Sequence, residues 1–261
     1  MLKLVINLER SFERLSHMQV QFVALGIGGG WHRVAAIDGR KLSLNQIKRS
    51  ASNIRDISKI ICPRALSVEE IGAFLSHRKC WKQLVNSNET WALIMEDDIV
   101  FSHRAKEYLL DSSWIPLGVD IVQLFIFTKT WEAKVDKNGF KLRNGDRLFH
   151  PYYPPPVGAQ AYCISRRAAK EALKLSKKIM APVDEFLFNP ISDFASYFPV
   201  YRLNPAIAMP LDNKFPSTIG VVRDKYPHSN LVRFHPLRIM KTLQFRLNTI
   251  GRTRSETFIF L

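Results

Sequence analysis

Three adjacent carboxylates, Glu96-Asp97-Asp98, directly follow a continuous apolar run from Trp91 to Met95. Carboxylates held this close repel one another, and a cation or solvent must relieve them. Side chains alternate along an extended chain, so Glu96 and Asp98 share one side and Asp97 takes the other. A site at the carboxyl end of a buried strand is where open α/β sheets bind ligands. Hard oxygen donors suit Mg²⁺ or Mn²⁺, which bridge carboxylates to diphosphate oxygens and act as Lewis acids on a departing diphosphate. The competing reading is a solvated helix N-terminus, where the helix dipole favours acids.

Other residues carry weaker signals. Arg10 and Arg14 flank the first turn of the first expected helix. Cations there oppose the dipole, which an anionic ligand at that end would resolve; pairing with Glu9 and Glu13 is the plainer account. His77 falls on the apolar stripe of its helix, near Glu70, Phe74 and Trp81. A histidine on such a face is more often a hydrogen-bonded core residue than a ligand. Ser76 lies off that stripe and could reach a neighbouring loop. Asp184 is suited to general-base work on an acceptor hydroxyl, or to capping the next helix; Asp193 is the weaker alternative base. Gly26-Ile-Gly-Gly-Gly30 resembles a dinucleotide fingerprint but follows a helix and precedes a strand, the wrong order. Trp131, Tyr152 and Tyr153 could stack on sugar rings or simply pack their loop.

The elements that must hold these residues follow from periodicity. Leu2 to Leu8 reads as a buried strand. Ser11 can cap a helix with Leu15, Met18, Phe22 and Leu25 on its apolar face, ended by Gly26. Trp31 to Ile37 is a second strand running into the Asp38-Gly39 turn, which completes a strand–helix–strand opening typical of parallel sheets. Ser67-Val-Glu-Glu70 is a capping box opening a helix from Val68 to about Asn86. Val119 to Phe127 and Gly158 to Ile164 are expected as strands, Arg167 to Lys178 as a helix, and Phe140 to Phe149 as a hairpin arm. Pro151 to Pro156 is expected as an irregular or polyproline-like loop.

A chain of 261 residues with 46% apolar content can bury a sizeable core. No run approaches the roughly 18 apolar residues of a membrane span. The apolar start reaches Glu9 and Arg10 too soon for a signal-peptide core, so a cytoplasmic location is expected. Cys62, Cys80 and Cys163 form no CxxC pattern and read as core thiols. The formal charge of +15 favours anionic partners. Part of it lies between Lys225 and Ser255, which holds seven Lys or Arg and no acid. There Met240, Leu243, Leu247 and Ile250 recur at helical spacing among Arg233, Arg238, Lys241, Arg246, Arg252 and Arg254, a basic amphipathic segment. No nucleic-acid-binding motif is recognisable, and the basic residues are not grouped around stacking aromatics, so nucleic acid is not an expected partner. A metal-dependent phosphate-ester hydrolase is the nearer rival.

In combination these features resemble glycosyltransferase family 25, the bacterial lipooligosaccharide galactosyltransferases. The resemblance is carried by Val5-Ile-Asn-Leu-Glu-Arg10 with Arg14, Ala36-Ile-Asp-Gly39, Glu70-Ile-Gly-Ala-Phe-Leu-Ser-His77 and Ile94-Met-Glu-Asp-Asp98. Gly158-Ala-Gln-Ala-Tyr162, Ile164-Ser165, Pro182-Val-Asp184 and Ser217-Thr-Ile-Gly220 continue it in order. It implies a GT-A-like α/β fold, an αβα sandwich with a mostly parallel, Rossmann-like central sheet. One domain would span residues 1–222, with a nucleotide-sugar half (1–100) and an acceptor half (101–222), followed by the basic segment 223–261. It also implies UDP-galactose or UDP-glucose as donor, a divalent metal, a lipooligosaccharide or other glycan acceptor, and inversion at the anomeric carbon. On this reading Asn7, Leu8, Arg10, Arg14, Asp38 and Gly39 line the nucleotide pocket. Glu96 and Asp98 hold Mn²⁺ or Mg²⁺, Asp97 contacts ribose or the donor sugar, Ser76 and His77 support the site, and Asp184 is the base. A further metal ligand is not evident; Asp212 and His228 are candidates. The basic segment is expected to dock on the anionic inner face of the cytoplasmic membrane.

Overall fold

The computed structural model describes residues 1–51, 65–211 and 249–261, together with Met240, Leu243 and Leu247. The chain opens with β1 (Leu2–Asn7), α1 (Phe12–Ala24), β2 (Trp31–Ala35) and α2 (Leu44–Ser50). Next come α3 (Val68–Asn86), β3 (Trp91–Glu96), β4 (Ile99–Phe101), α4 (Lys106–Leu109) and β5 (Ile121–Gln123). Four short strands follow: β6 (Thr130–Asp136), β7 (Phe140–Lys141), β8 (Arg147–Phe149) and β9 (Pro151–Tyr153). The remainder is β10 (Ala161–Ser165), α5 (Arg166–Leu175), α6 (Val183–Phe188), α7 (Asp193–Tyr197), β11 (Val200–Asn204), β12 (Ala208–Pro210) and β13 (Thr253–Ile259).

Among the described residues the central sheet has eight strands in the order β2-β1-β3-β10-β5-β11-β8-β7. The pairs β1–β2, β1–β3 and β5–β11 are parallel, while β10 and β8 run against their neighbours. Six of the eight strands therefore share one direction. Alternation along the strands builds two cores. Leu4, Ile6, Ile94, Tyr162 and Ile164 meet Phe74, Trp81 and Leu84 of α3, with Ala168 and Ala172 of α5. Val5, Leu93, Met95 and Ala161 meet Met18 and Phe22 of α1, with Tyr108 and Leu109 of α4. The layers are thus αβα, and each buried large apolar side chain contributes roughly 1.5–3 kcal/mol. Cys80 and Cys163 are buried free thiols, as their isolation in sequence suggests.

Helix α3 begins at its expected box: Ser67 Oγ accepts from Glu70 N, and Glu70 Oε2 accepts from Ser67 N. Ser11 stands at the N-cap of α1 but makes no side-chain cap; its carbonyl instead accepts from the Asn7 side chain at 2.8 Å. The hairpin expected near Phe140 to Phe149 forms between β7 and β8. Pro151 to Tyr153, expected as irregular loop, is the edge strand β9 of a small sheet, β13-β6-β9. An edge is where a residue without an N–H can join a sheet.

Thr253–Ile259, placed by sequence in the basic segment, pairs with β6 along its whole length, and Phe258 is 0% exposed in a third core. Met240, Leu243 and Leu247 are helical; with Ile250 they form an apolar stripe exposed by 54, 53, 66 and 73%. Cys62, Asp212, Ser217 to Gly220, His228, Arg233, Arg238, Lys241 and Arg246 lie outside the described residues. Among the described residues no helix is long and apolar enough to cross a membrane.

Candidate active site

β1 has β2 on one side and β3 on the other, so the connections leave it in opposite directions. A crevice forms at such a switch point, beyond the carboxyl ends of the strands. Here it is an open cleft of about 740 Å³, a volume that includes the solvent at its mouth. Leu8, Arg10 and Arg14 form one wall, Asp38 and Gly39 a second, and Ser76 and His77 of α3 a third. The floor is Glu96, Asp97 and Asp98, with Gln160 from the segment before β10. Ten of the twelve residues given a site role from sequence thus line one cleft. Asn7 lies buried beneath it, and Asp184 stands outside its lining.

The second wall is held by backbone proximity. A Cβ on Gly72 of α3 would lie 2.6 Å from both Gly39 N and Ile37 O, and one on Gly39 would strike the Val68 carbonyl. Only glycine at both positions lets the turn rest on the helix. Ser76 fixes the contact, since its Oγ accepts from Ile37 N at 2.8 Å and donates to Gly72 O. Asp38 then pairs with Arg10 and accepts from the backbone N of Arg40 at 3.2 Å. Burial opposes the Asp38 charge, but the Arg40 N–H and the Arg10 guanidinium outweigh it and hold the carboxyl below its ordinary value.

The three acids of the floor have different surroundings. Asp97 Oδ2 accepts from Asn7 Nδ2 at 2.6 Å, and its Oδ1 accepts from Arg14 at 3.3 Å. Arg33, an exposed residue of β2, donates to Asn7 Oδ1 at 2.8 Å and completes this support from the surface side. Burial pushes the Asp97 carboxyl up, with Asn7 and Arg14 working against it. Glu96 Oε1 lies 3.1 Å from His77 Nε2, and Glu96 N donates to Gln160 O at 2.7 Å. Asp98 is pushed up to about 7, first by burial and then by the Glu96 charge, against the pull of Arg14.

Asp98 Oδ1 is buried without a hydrogen-bond partner, a condition a cation would relieve. Among the described residues no three or more His, Cys, Asp or Glu side chains converge as a ready-made metal cage. Two hard carboxylates at a cleft floor still fit Mg²⁺ or Mn²⁺, because such ions are commonly held by one or two carboxylates plus substrate phosphates. Asp184 accepts from Gly158 N at 3.1 Å and from Glu185 N at 3.0 Å. It therefore sits beside the segment that carries Gln160 into the cleft.

The sequence reading gives no role to Arg33, Gln160 or Tyr162, the last two appearing there only within the Gly158 to Tyr162 motif. Alternation along β2 was the available signal for Arg33. Gln160 and Tyr162 share the segment Gly158 to Tyr162, and the structure brings that segment against Glu96 and His77.

A central sheet covered by helices on both faces, with an acidic, arginine-flanked cleft at its switch point, defines an αβα fold with a candidate ligand site beyond the strand ends. The family model for glycosyltransferase family 25 (LPS biosynthesis protein) matches residues 1–187, and the chain belongs to that family. The match ends before Ser217 to Gly220, so that part of the resemblance lies beyond it.

The chain is 31% identical over 202 residues to the lipooligosaccharide biosynthesis protein lex-1 of Haemophilus influenzae, covering 72% of this chain and 63% of that one. It is 27% identical over 209 residues to the lacto-N-neotetraose biosynthesis glycosyltransferase LgtE of Neisseria meningitidis serogroup B, covering 78% and 71%. Human procollagen galactosyltransferase 2 is 30% identical over 192 residues, covering 68% of this chain and 29% of the human protein. The chain thus spans less than two thirds of the length of lex-1 and under a third of the human relative. A crystal structure of a glycosyltransferase involved in glycosylation of the major capsid of PBCV-1 aligns over 94% of this chain and 98% of that one. At 7% identity and a TM-score of 0.40 it is a distant likeness.

Proposed function

We propose that the protein transfers a hexose, galactose or glucose, from a UDP-sugar to a lipooligosaccharide or other glycan acceptor, with inversion. The observation that carries this reading is the cleft at the switch point, with Asp98 Oδ1 unpartnered on its floor and Arg10 and Arg14 on its wall. Family membership and the similarity to lex-1, a lipooligosaccharide biosynthesis protein, and to LgtE, a lacto-N-neotetraose biosynthesis glycosyltransferase, support it.

Leu8, Asp38 and Gly39 receive the nucleotide. Arg10 and Arg14 bring positive charge to the diphosphate, and Asp97, backed by Asn7 and paired with Arg14, contacts the ribose or the donor sugar. Glu96 and Asp98 would hold Mn²⁺ or Mg²⁺, which when bound would supply Lewis-acid stabilisation of the leaving diphosphate. Ser76 keeps the Asp38 turn in place and His77 steadies Glu96. Asp184 takes the proton of an acceptor hydroxyl as its oxygen bonds to the anomeric carbon. The bond from that carbon to the diphosphate oxygen breaks on the opposite face, and UDP leaves.

The exposed stripe Met240, Leu243, Leu247 and Ile250 lies in a run of sequence rich in Lys and Arg. That combination suits peripheral docking on the anionic inner face of the cytoplasmic membrane. A panel of UDP-sugars with truncated lipooligosaccharides, read by mass spectrometry, tests the reaction. UDP release only with a glycan acceptor supports transfer. Release at the same rate without one identifies a phosphate-ester hydrolase instead.

A further inference from the structure

Beneath the cleft, four side chains from α3, β10 and β3 make one chain of hydrogen bonds. Trp81 Nε1 donates to Tyr162 Oη at 2.9 Å. Tyr162 Oη lies 3.0 Å from His77 Nδ1, and His77 Nε2 lies 3.1 Å from Glu96 Oε1. Trp81, Tyr162 and His77 are each 0% exposed, so water does not substitute for a missing partner. The rings of His77 and Tyr162 also stack, with centroids 5.6 Å apart.

Chemistry gives this chain a direction. An indole N–H can only donate, so it occupies a lone pair on Tyr162 Oη. Burial keeps the Tyr162 phenol protonated, and its single proton needs an acceptor, which His77 Nδ1 provides. The imidazole proton then stands on Nε2 and points at the Glu96 carboxylate. The opposite tautomer would leave a buried phenol O–H without an acceptor and set a ring lone pair against the carboxylate.

We propose that Trp81 and Tyr162 are positioning residues for Glu96: acting through His77, they fix its Nε2–H tautomer and hold the carboxylate in one orientation at the cleft. Fixing a tautomer through the far ring nitrogen is how buried partners orient polar and metal-binding groups. The backbone cooperates, because Tyr162 pairs with Ile94 across β10 and β3 while Gln160 O accepts from Glu96 N. The part of this inference that concerns the donor rests on the function proposed above; the tautomer does not.

The test is nitrogen-15 NMR of histidine-labelled protein, with the His77 signals assigned by their loss in His77→Gln. Unprotonated Nδ1 and protonated Nε2 are expected in the wild type, and mixed tautomers in Tyr162→Phe. Titration of Mn²⁺ in the presence of UDP should weaken about ten- to a hundred-fold in Tyr162→Phe. His77→Gln, whose amide can donate at the Nε2 position, should bind Mn²⁺ better than His77→Asn, which cannot reach Glu96. Trp81→Phe supplies the same comparison should Tyr162→Phe fail to fold. A wild-type His77 protonated at Nδ1 overturns the proposal, as does unchanged Mn²⁺ affinity in folded Tyr162→Phe and His77→Asn. Absence of Mn²⁺ binding by the wild type, with the Nε2–H tautomer present, would sink the donor-site reading and leave the relay standing.

Discussion

Asn7 Nδ2 donates to Asp97 Oδ2 at 2.6 Å, which joins the ends of two neighbouring parallel strands beneath the cleft. The same amide group also reaches Ser11 O at the start of α1, and its oxygen accepts from Arg33 of β2. One buried side chain thus ties β1, β2, β3 and α1 together where they form the floor. Its place below the lining makes it a support for Asp97 and Arg14.

Replacing Asn7 by leucine keeps the bulk and removes all three hydrogen bonds. The Asp97 carboxylate is left buried with only its Arg14 partner among these contacts. Urea denaturation should show a loss of at least about 1–3 kcal/mol, the usual cost of a buried polar group deprived of its partner. An unchanged midpoint would mean that the Asn7 contacts contribute nothing to the folded state.

The Gly39–Gly72 approach gives a steric prediction. Gly72→Ala forces a methyl group against Gly39 N and Ile37 O, both backbone atoms that cannot rotate away. Overpacking of this kind costs about 1–3 kcal/mol, and displacement of the Asp38 turn should weaken UDP binding by calorimetry. Gly28→Ala, whose methyl would meet nothing within 4 Å, should stay within about 0.5 kcal/mol of wild type. Equal behaviour of the two variants would refute the close approach.

Much of this architecture is legible in the sequence because it is local. The Ser67 to Glu70 capping box, the apolar run into Glu96 and the turn at Asp38-Gly39 each follow from residues a few positions apart. The support of the floor is not local: Asn7 meets Asp97, and His77 meets Tyr162, only through strand order and register. Alternation separates Glu96 from Asp97, yet it does not reveal which partner each finds. The edge strand at Pro151 to Tyr153 and the strand at Thr253 to Ile259 escaped for a related reason. Each is specified by its pairing with β6, whereas proline content and charge dominate its own composition.

Asp184 separates catalysis from loop support. As general base it should be worth about 10²–10⁴-fold in turnover, so Asp184→Ala should lower kcat that far and leave donor affinity nearly unchanged. Equal losses in turnover and donor binding would restrict Asp184 to holding Gly158, from which it accepts a hydrogen bond.

The central claim is that Asp98 serves metal-dependent sugar transfer at this cleft. Asn has nearly the shape of Asp but lacks the charge that a divalent cation requires, and Asp98 Oδ1 has no hydrogen bond to lose. The decisive measurement is hexose transfer from a UDP-sugar to a truncated lipooligosaccharide with Mn²⁺ present, comparing wild type and Asp98→Asn, with folding checked by circular dichroism. The expected result is product from the wild type, none after chelation, and none from a fully folded Asp98→Asn. Undiminished transfer by folded Asp98→Asn would contradict the account.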